Sequence, residues 1–248
     1  MGEAVGRRAV VTGAASGIGQ ATVRRLLREG ATVLAVDINE AGLAPVVADG
    51  AIPVVASVAD PEGRGAIAAA AGEIDYLVNA AGILFVRDIW EVGLEEWRRL
   101  YAVNVEGTFF TIQALGRAIR PGGAIVNLSS SSAKLSSTHE VTPYSSSKAT
   151  ILGITRSFAY VLAKRDVRCN AICPGVIDTP MQDTVLEQVA PLRGVSVEAL
   201  SAARTAAIPM GRAATADETA GAIWFLLSDA SRYMTGQAVN VPGGLVMW

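Results

Sequence analysis

The stretch Arg8-Ala9-Val10-Val11-Thr12-Gly13-Ala14-Ala15-Ser16-Gly17-Ile18-Gly19 decides the fold. A short apolar run breaks into a glycine turn, and the turn opens a helix pattern that continues through Leu26 and Leu27 to Gly30. A second apolar run, Ala31 to Val36, ends on Asp37. Strand, glycine turn, helix, strand and acid in that order predict the opening βαβ unit of a dinucleotide-binding fold. Glycine has no side chain, so backbone N–H groups can close on a pyrophosphate at the helix N-terminus. The spacing, Gly13 with three residues to Gly17-Ile18-Gly19, differs from the commonest GxGxxG form. Asp37 lies about twenty residues past the glycines, where a carboxylate accepts hydrogen bonds from the adenosine ribose and repels a 2′-phosphate. The turn holds no Lys or Arg to offset that repulsion, so NAD is expected rather than NADP.

The alternation continues along the chain. Residues 51–58 read as a third strand, and Ile74 to Val78 as a fourth that runs into Asn79-Ala80-Ala81-Gly82, small residues that let a flat ring lie against the backbone. Leu94 to about Ile119 reads as one long helix with a buried stripe of Trp97, Tyr101, Thr108, Ile112 and Leu115. Asn104 falls on that stripe, where a buried amide must be hydrogen-bonded, either as a structural bridge or as part of a polar site. Gly123 to Leu128 is a fifth strand ending in Ser129-Ser130-Ser131-Ser132, and Val167 to Ile172 a sixth that leads into Cys173-Pro174-Gly175. Between them runs a helix from Pro143 to about Ala163, apolar on more than one side and therefore expected to face both the sheet and a second subunit. From 180 to 210 the pattern weakens around Pro191, Gly194 and Pro209, as expected of a substrate lid. Thr215-Ala216-Asp217-Glu218 reads as a capped helix start, and Ala238 to Val241 as the last strand. The expected fold is α/β: a single doubly wound Rossmann-type domain over 1–248, with a seven-stranded parallel sheet, helices on both faces and ligands at the strands' C-terminal ends.

Composition excludes several classes of function. Hydrophobic residues make up 51% of the 248 positions and charged residues 18%, with no apolar run approaching a membrane span. A net charge of -2 without a basic cluster gives little electrostatic reason to bind nucleic acid. No secretion segment precedes the first strand, so a cytoplasmic location is expected. Cys169 and Cys173 are four apart on a strand, roughly 13 Å, which excludes a disulfide between them. His139 is the sole histidine, which leaves no His-rich metal site, and no metal is expected.

Tyr144-Ser145-Ser146-Ser147-Lys148 carries the chemistry. Residues four apart share a helix face, so the phenol and the ammonium should project into one space. A cation beside the phenol is expected to draw its pKa down from about 10 toward the working pH. Thr142-Pro143 reads as N-cap and first helical position.

Thr12-Gly13 through Gly17-Ile18-Gly19, Asn79-Ala80-Ala81-Gly82, Asn104, Asn127-Leu128-Ser129-Ser130, Tyr144 with Lys148, and Pro174-Gly175 through Thr179 follow one another as they do in the short-chain dehydrogenases/reductases, a family the whole chain resembles. The resemblance implies hydride transfer between a nicotinamide and an alcohol/ketone pair. It implies Tyr144 as acid/base, Lys148 lowering its pKa and holding the nicotinamide ribose, Ser130 on the substrate oxygen and Asn104 holding a relay water. Gly13, Ser16, Gly17, Ile18 and Gly19 would line the pyrophosphate, Asp37 the adenosine ribose, and Ser57-Val58 the adenine. Asn79, Ala80, Ala81 and Gly82 would border the cofactor, with Pro174, Gly175, Ile177 and Thr179 at the nicotinamide. Ser130 lies fourteen residues before Tyr144, where the family more often has thirteen, so Ser131 stands as the alternative hydroxyl. Pro242 occupies a position where the family usually has Asp. Thr179-Pro180-Met181 and Gly243-Gly244-Leu245-Val246-Met247 resemble the polyol and sugar dehydrogenases, with His139 and Glu140 either placed to bond a hydroxylated substrate or, for His139, simply an exposed loop histidine. Apolar ketones of steroid or 3-ketoacyl type, and a nucleotide-binding sensor that has lost the chemistry, are the other readings. A homotetramer is the expected assembly.

Overall fold

A computed structural model describes residues 2–135 and 138–247. Seven strands form one sheet: β1 (Arg8–Thr12), β2 (Thr32–Asp37), β3 (Ile52–Val55), β4 (Ile74–Asn79), β5 (Ile119–Leu128), β6 (Arg168–Pro174) and β7 (Ala238–Val241). Their order is β3-β2-β1-β4-β5-β6-β7, and every ladder is parallel. The chain winds outward from β1 to β3, then returns to lay β4 on the other side of β1. That reversal opens a crevice beyond the C-terminal ends of β1 and β4, where such sheets bind ligands.

Nine α-helices are present among the described residues: α1 (Gly17–Arg28), α2 (Glu40–Ala48), α3 (Pro61–Ala71), α4 (Leu94–Tyr101), α5 (Gly107–Leu115), α6 (Thr142–Leu162), α7 (Pro180–Leu192), α8 (Val197–Ala206) and α9 (Ala216–Leu227). Period-two alternation divides each strand between two cores. Val11, Ala35, Val78 and Val126 pack under Val23 and Leu26 of α1 and Ile223 and Trp224 of α9. Val10, Leu34, Leu77 and Ile125 face the other way, onto Ile67, Ile112, Leu115 and Ile151. Both faces are covered, which is why the inner strands read as nearly continuous apolar runs.

The long helix expected from Leu94 to about Ile119 is instead interrupted. A π-helical turn, Ala102–Glu106, separates α4 from α5, and β5 begins at Ile119. The extra residue per turn resets the helical phase. Leu100 thus becomes the fully buried residue of α4, while Trp97 and Tyr101 are half-buried and stack at 4.5 Å. Thr142 is also not the N-cap; Val141 holds that position, and the Thr142 hydroxyl donates to the His139 carbonyl at 2.7 Å. Thr215 and Glu218 do form the expected reciprocal cap of α9, with bonds of 3.2 and 2.8 Å.

The far end of α9 is closed by Arg168 of β6, whose buried guanidinium donates to the carbonyls of Leu226, Leu227 and Ser228 and to the Ser231 hydroxyl. The last carbonyls of a helix have no partner within it, so a buried cation there satisfies both bonding and dipole. The weakly patterned region from 180 to 210 holds two ordered helices, α7 and α8. They pack Val185, Val189 and Leu200 into a third apolar cluster with Val86 and Val141, against which Leu84 and Tyr144 rest. Pro191 falls in the last turn of α7, close enough to the end that the helix is complete before it.

Candidate active site

One cleft of about 430 Å³ lies across the sheet's C-terminal edge. Its first wall is the glycine turn. Gly13 has φ +68°, and a Cβ there would stand 2.7 Å from the Ala81 amide; a Cβ on Gly19 would stand 1.9 Å from the Gly13 carbonyl. Nothing larger than glycine fits at either place. Ser16 precedes α1 without capping it through its side chain, so the amides of the first turn stay available to an anion. The donor set fits a dinucleotide pyrophosphate.

Asp37 ends β2 at one end of the cleft. Its Oδ2 accepts from the Ala15 amide at 3.0 Å and its Oδ1 from Asn39 at 2.9 Å, which ties the glycine turn to the strand end. Ser57 and Val58 border the same end, with the Ser57 hydroxyl accepting from the Ala59 amide at 3.1 Å. Ser16, Gly17, Ile18, Ala80, Ala81, Gly82, Pro174, Gly175, Ile177 and Thr179 line the cleft further along. Gly175 leaves room for Pro242, whose Cα would be 2.7 Å from a Cβ at that position.

Asn79 does not line the cleft. It is buried in the sheet, where its Nδ2 donates to the Asn127 Oδ1 at 2.8 Å, and its own Oδ1 has no hydrogen-bond partner among the described residues. Strand alternation is the reason: the residue after the last inward position of β4 turns into the core rather than toward the opening.

At the other end, α6 presents Tyr144 and Lys148 to the cleft, and β5 delivers Ser129, Ser130 and Ser131. Ser130 acts on the Tyr144 phenol, opposing its rise in pKa, and its Oγ accepts from the Ser132 amide and hydroxyl at 3.1 and 2.8 Å. Of the two candidate hydroxyls, Ser130 is therefore the one that acts on the phenol. Asn104 stays behind the cleft, fully buried. Its carboxamide grips both backbone groups of Ile83, accepting from N–H at 2.8 Å and donating to C=O at 3.0 Å, and donates to the Ser147 hydroxyl at 3.0 Å. It is a bridge from the π turn to the β4 loop and α6. A Cβ on Gly82 would lie 3.3 Å from the Lys148 Nζ and 3.4 Å from the Asn104 Oδ1, so that glycine is the gap between the bridge and the amine.

The electrostatics differ from the sequence expectation. Burial pushes the Tyr144 phenol up to about 12, opposed by the hydrogen bond with Ser130. Burial also draws the Lys148 ammonium down to about 8, opposed by its charge interaction with Cys173. The lysine does not lower the phenol because its Nζ donates to the Leu128 carbonyl at 2.8 Å and sits 5.5 Å from the Tyr144 ring centre. In the protein by itself, desolvation outweighs the pairing that helical spacing suggested.

His139 and Glu140 lie outside the cleft lining, contrary to the role expected of them. Glu140 is buried and accepts a forked pair of bonds from Arg193, the residue that follows α7, at 2.6 and 2.7 Å. Leu84, Leu135, Val141, Met181, Gln182, Val185, Arg204 and Leu245 also line the cleft, and of these the sequence singled out only Met181 and Leu245, for their resemblance to polyol dehydrogenases. Most stand on α7, α8 and the chain end, where proline and glycine interrupt the helical period that could have exposed them. Cys169 and Cys173 are buried free thiols, and no cluster of metal-ligating side chains occurs among the described residues.

Residues 13–246 match the family model described as enoyl-(acyl carrier protein) reductase. The chain is 38% identical over 256 residues to the 3-oxoacyl-[acyl-carrier-protein] reductase of Thermotoga maritima, covering 98% of each. It is 33% identical over 243 residues to the 2-keto-3-deoxy-L-fuconate dehydrogenase of Xanthomonas campestris pv. campestris, covering 96% of this chain and 80% of that one. Among solved structures, a variant of actinorhodin polyketide ketoreductase with NADPH superposes with a TM-score of 0.91 at 32% identity, over 96% of this chain and 97% of that one.

Proposed function

The chain belongs to the short-chain dehydrogenase/reductase family of oxidoreductases, and on that premise we propose that it interconverts a secondary alcohol and a ketone at Tyr144, with NAD as the preferred cofactor. The observation that carries the reading is the meeting of Tyr144, Ser130 and Lys148 at one end of a cleft whose other end is the glycine turn and Asp37.

When bound, the nicotinamide dinucleotide supplies or accepts the hydride. The protein's own residues do the rest. The first-turn amides of α1 take the pyrophosphate, and the Asp37 carboxylate takes the adenosine ribose hydroxyls while repelling a 2′-phosphate. Ser130 donates to the substrate oxygen as charge develops on it, and the Tyr144 phenol gives or removes the proton at that same oxygen. Lys148 would hold the nicotinamide ribose hydroxyls beside Tyr144. Asn104 acts as a positioning residue: by clamping Ile83 and Ser147 it fixes the loop after β4 against the helix that carries Tyr144.

For the substrate, the wall of Leu84, Leu135, Val141, Val185 and Leu245 favours an apolar body over a polyol, since His139 and Glu140 are turned elsewhere. The Thermotoga relative is named for a 3-oxoacyl group and the Xanthomonas relative for a keto sugar acid, so carbonyl chemistry recurs on different bodies. The helices α7 and α8 form the lid. No helix among the described residues is long and apolar enough to cross a membrane. A homotetramer is supported by Tyr160 and Val161 on α6 and Phe225 on α9, which are apolar and exposed on helices otherwise packed against the sheet.

The test is a panel of ketones, hydroxy acids and polyols followed at the nicotinamide absorbance with both cofactors, for the wild type and Tyr144→Phe. Turnover is expected to fall by about 10²–10⁴-fold in the variant while cofactor binding survives. Unchanged turnover removes Tyr144 from the role.

A further inference from the structure

Asp37 is the one acid among the described residues lining the cleft, and Lys148 and Arg204 are the two cations. Asp37 and Lys148 have their hydrogen-bond partners in the protein. Arg204 has neither a hydrogen bond nor an ion pair among the described residues, although it is only half exposed.

Its placement is set by α8. Leu200, one turn earlier on the same face, is buried in the apolar cluster shared with α7, Val141 and Tyr144. Residues four apart lie above one another, so the face that seats Leu200 also directs Arg204 inward. The nearest acid cannot neutralise it. Glu140 has both carboxylate oxygens on Arg193, with His139 Nε2 a further 3.7 Å from one of them. Two guanidinium groups thus share one carboxylate that is already forked onto the other, which leaves one positive charge in excess beside the cleft. Burial and repulsion from Arg193 lower the Arg204 pKa, and attraction to Glu140 offsets them only in part, a cost that an incoming anion would relieve.

We infer that Arg204 receives the carboxylate of the substrate, so that the enzyme acts on oxo and hydroxy acids whose two functional groups are separated by an apolar stretch. A single excess charge on a planar fork matches a monoanionic carboxylate. Val141, Val185 and Leu84 stand along the same wall as Tyr144 and would cover the intervening carbons. This inference names the substrate class of the reaction proposed above and rests on that reading.

The experiment uses levulinate and its two homologues with two and four more methylenes between carbonyl and carboxylate, each paired with its methyl ester, and NADH as cosubstrate. For at least one chain length the acid is expected to exceed its ester in kcat/KM by roughly 10- to 100-fold, carried by KM, as a hydrogen-bonded charge pair gives. Arg204→Gln collapses that ratio toward one, and Arg204→Lys restores part of it. A ratio near one at every chain length in the wild type overturns the inference without recourse to any variant, as does a ratio that Arg204→Gln leaves intact. Ligand-observed NMR titration of the same acids separates the two readings. Acids that bind to the NADH-saturated enzyme through Arg204 but are not reduced leave the anion site standing and remove the proposed reaction. Esters reduced as fast as acids leave the reaction standing and remove the anion site.

Discussion

The Glu140 carboxylate accepts both Nε and a terminal nitrogen of Arg193, at 2.6 and 2.7 Å, and so fastens the turn before α6 to the end of α7. One contact therefore joins the helix that carries Tyr144 to the helix that covers it. The Arg193 guanidinium holds the Glu140 carboxyl below its ordinary range. A carboxyl lowered on folding contributes stability above its unfolded value, near 4.3, and that contribution is lost as pH falls through the folded value. Glu140→Gln should cost about 1–3 kcal/mol at neutral pH, discounted because Arg193 is about a third exposed. Urea unfolding of both proteins is expected to show the difference shrinking below about pH 4.

Lys148 moves stability in the same direction with pH, but through the cost of burying its charge rather than the gain of pairing it. Its folded value, about 8, lies below the 10.4 or so of an unfolded lysine. Between those two values the unfolded chain holds a proton that the folded chain has shed, so the cofactor-free protein gains stability as pH rises through that window. In Lys148→Met the gain is absent. Relative to that variant, the wild type should improve by about 1–3 kcal/mol from pH 7 to pH 10.5, read from urea midpoints at matched slopes. A constant difference across the window contradicts the burial of the ammonium.

Asp37 should govern the choice of cofactor. Asp37→Ser removes the acceptor for the ribose hydroxyls and the repulsion of a 2′-phosphate together. The ratio of kcat/KM for NADH over NADPH is expected to exceed one in the wild type and to fall by about tenfold or more in the variant. A wild type that prefers NADPH contradicts the assignment.

Arg168 offers a test of the fold independent of the chemistry. Arg168→Met keeps most of the volume but leaves the terminal carbonyls of α9 without donors in a buried place. A loss of about 2–4 kcal/mol is expected, measured by chemical denaturation, since each orphaned buried carbonyl costs about 1–3 kcal/mol and water recovers part of it.

Much of this could be read from the chain. The strand, glycine turn and Asp37 specify a parallel sheet because backbone approach and alternation are local requirements, and the strands fall in apolar runs except for the start of β5, which crosses Arg120-Pro121-Gly122-Gly123. Helical spacing put Tyr144 and Lys148 on one face, and only the resemblance to the family gave them their roles. What spacing could not reveal was the environment: whether the amine meets a phenol or the Leu128 carbonyl depends on β5, which arrives from twenty residues away in sequence. Glu140 and Arg204 were misread or missed for a related reason. Their partners, or lack of them, are decided by how α7 and α8 fold over the cleft, and the prolines and glycine in that region mask the period that would have paired Leu200 with Arg204.

The turn Ala102–Glu106 acts as a frame marker. A single additional residue there rotates everything before it by about 100° relative to everything after it. Removing one residue, Val105, which does not line the cleft, would restore ordinary winding and swing the Asn104 amide off Ile83 and Ser147, even though every side chain that lines the cleft kept its identity. Loss of turnover in such a shortened protein, with its circular dichroism unchanged, would show that the reaction depends on the count of residues in a segment of which Val103 alone lines the cleft.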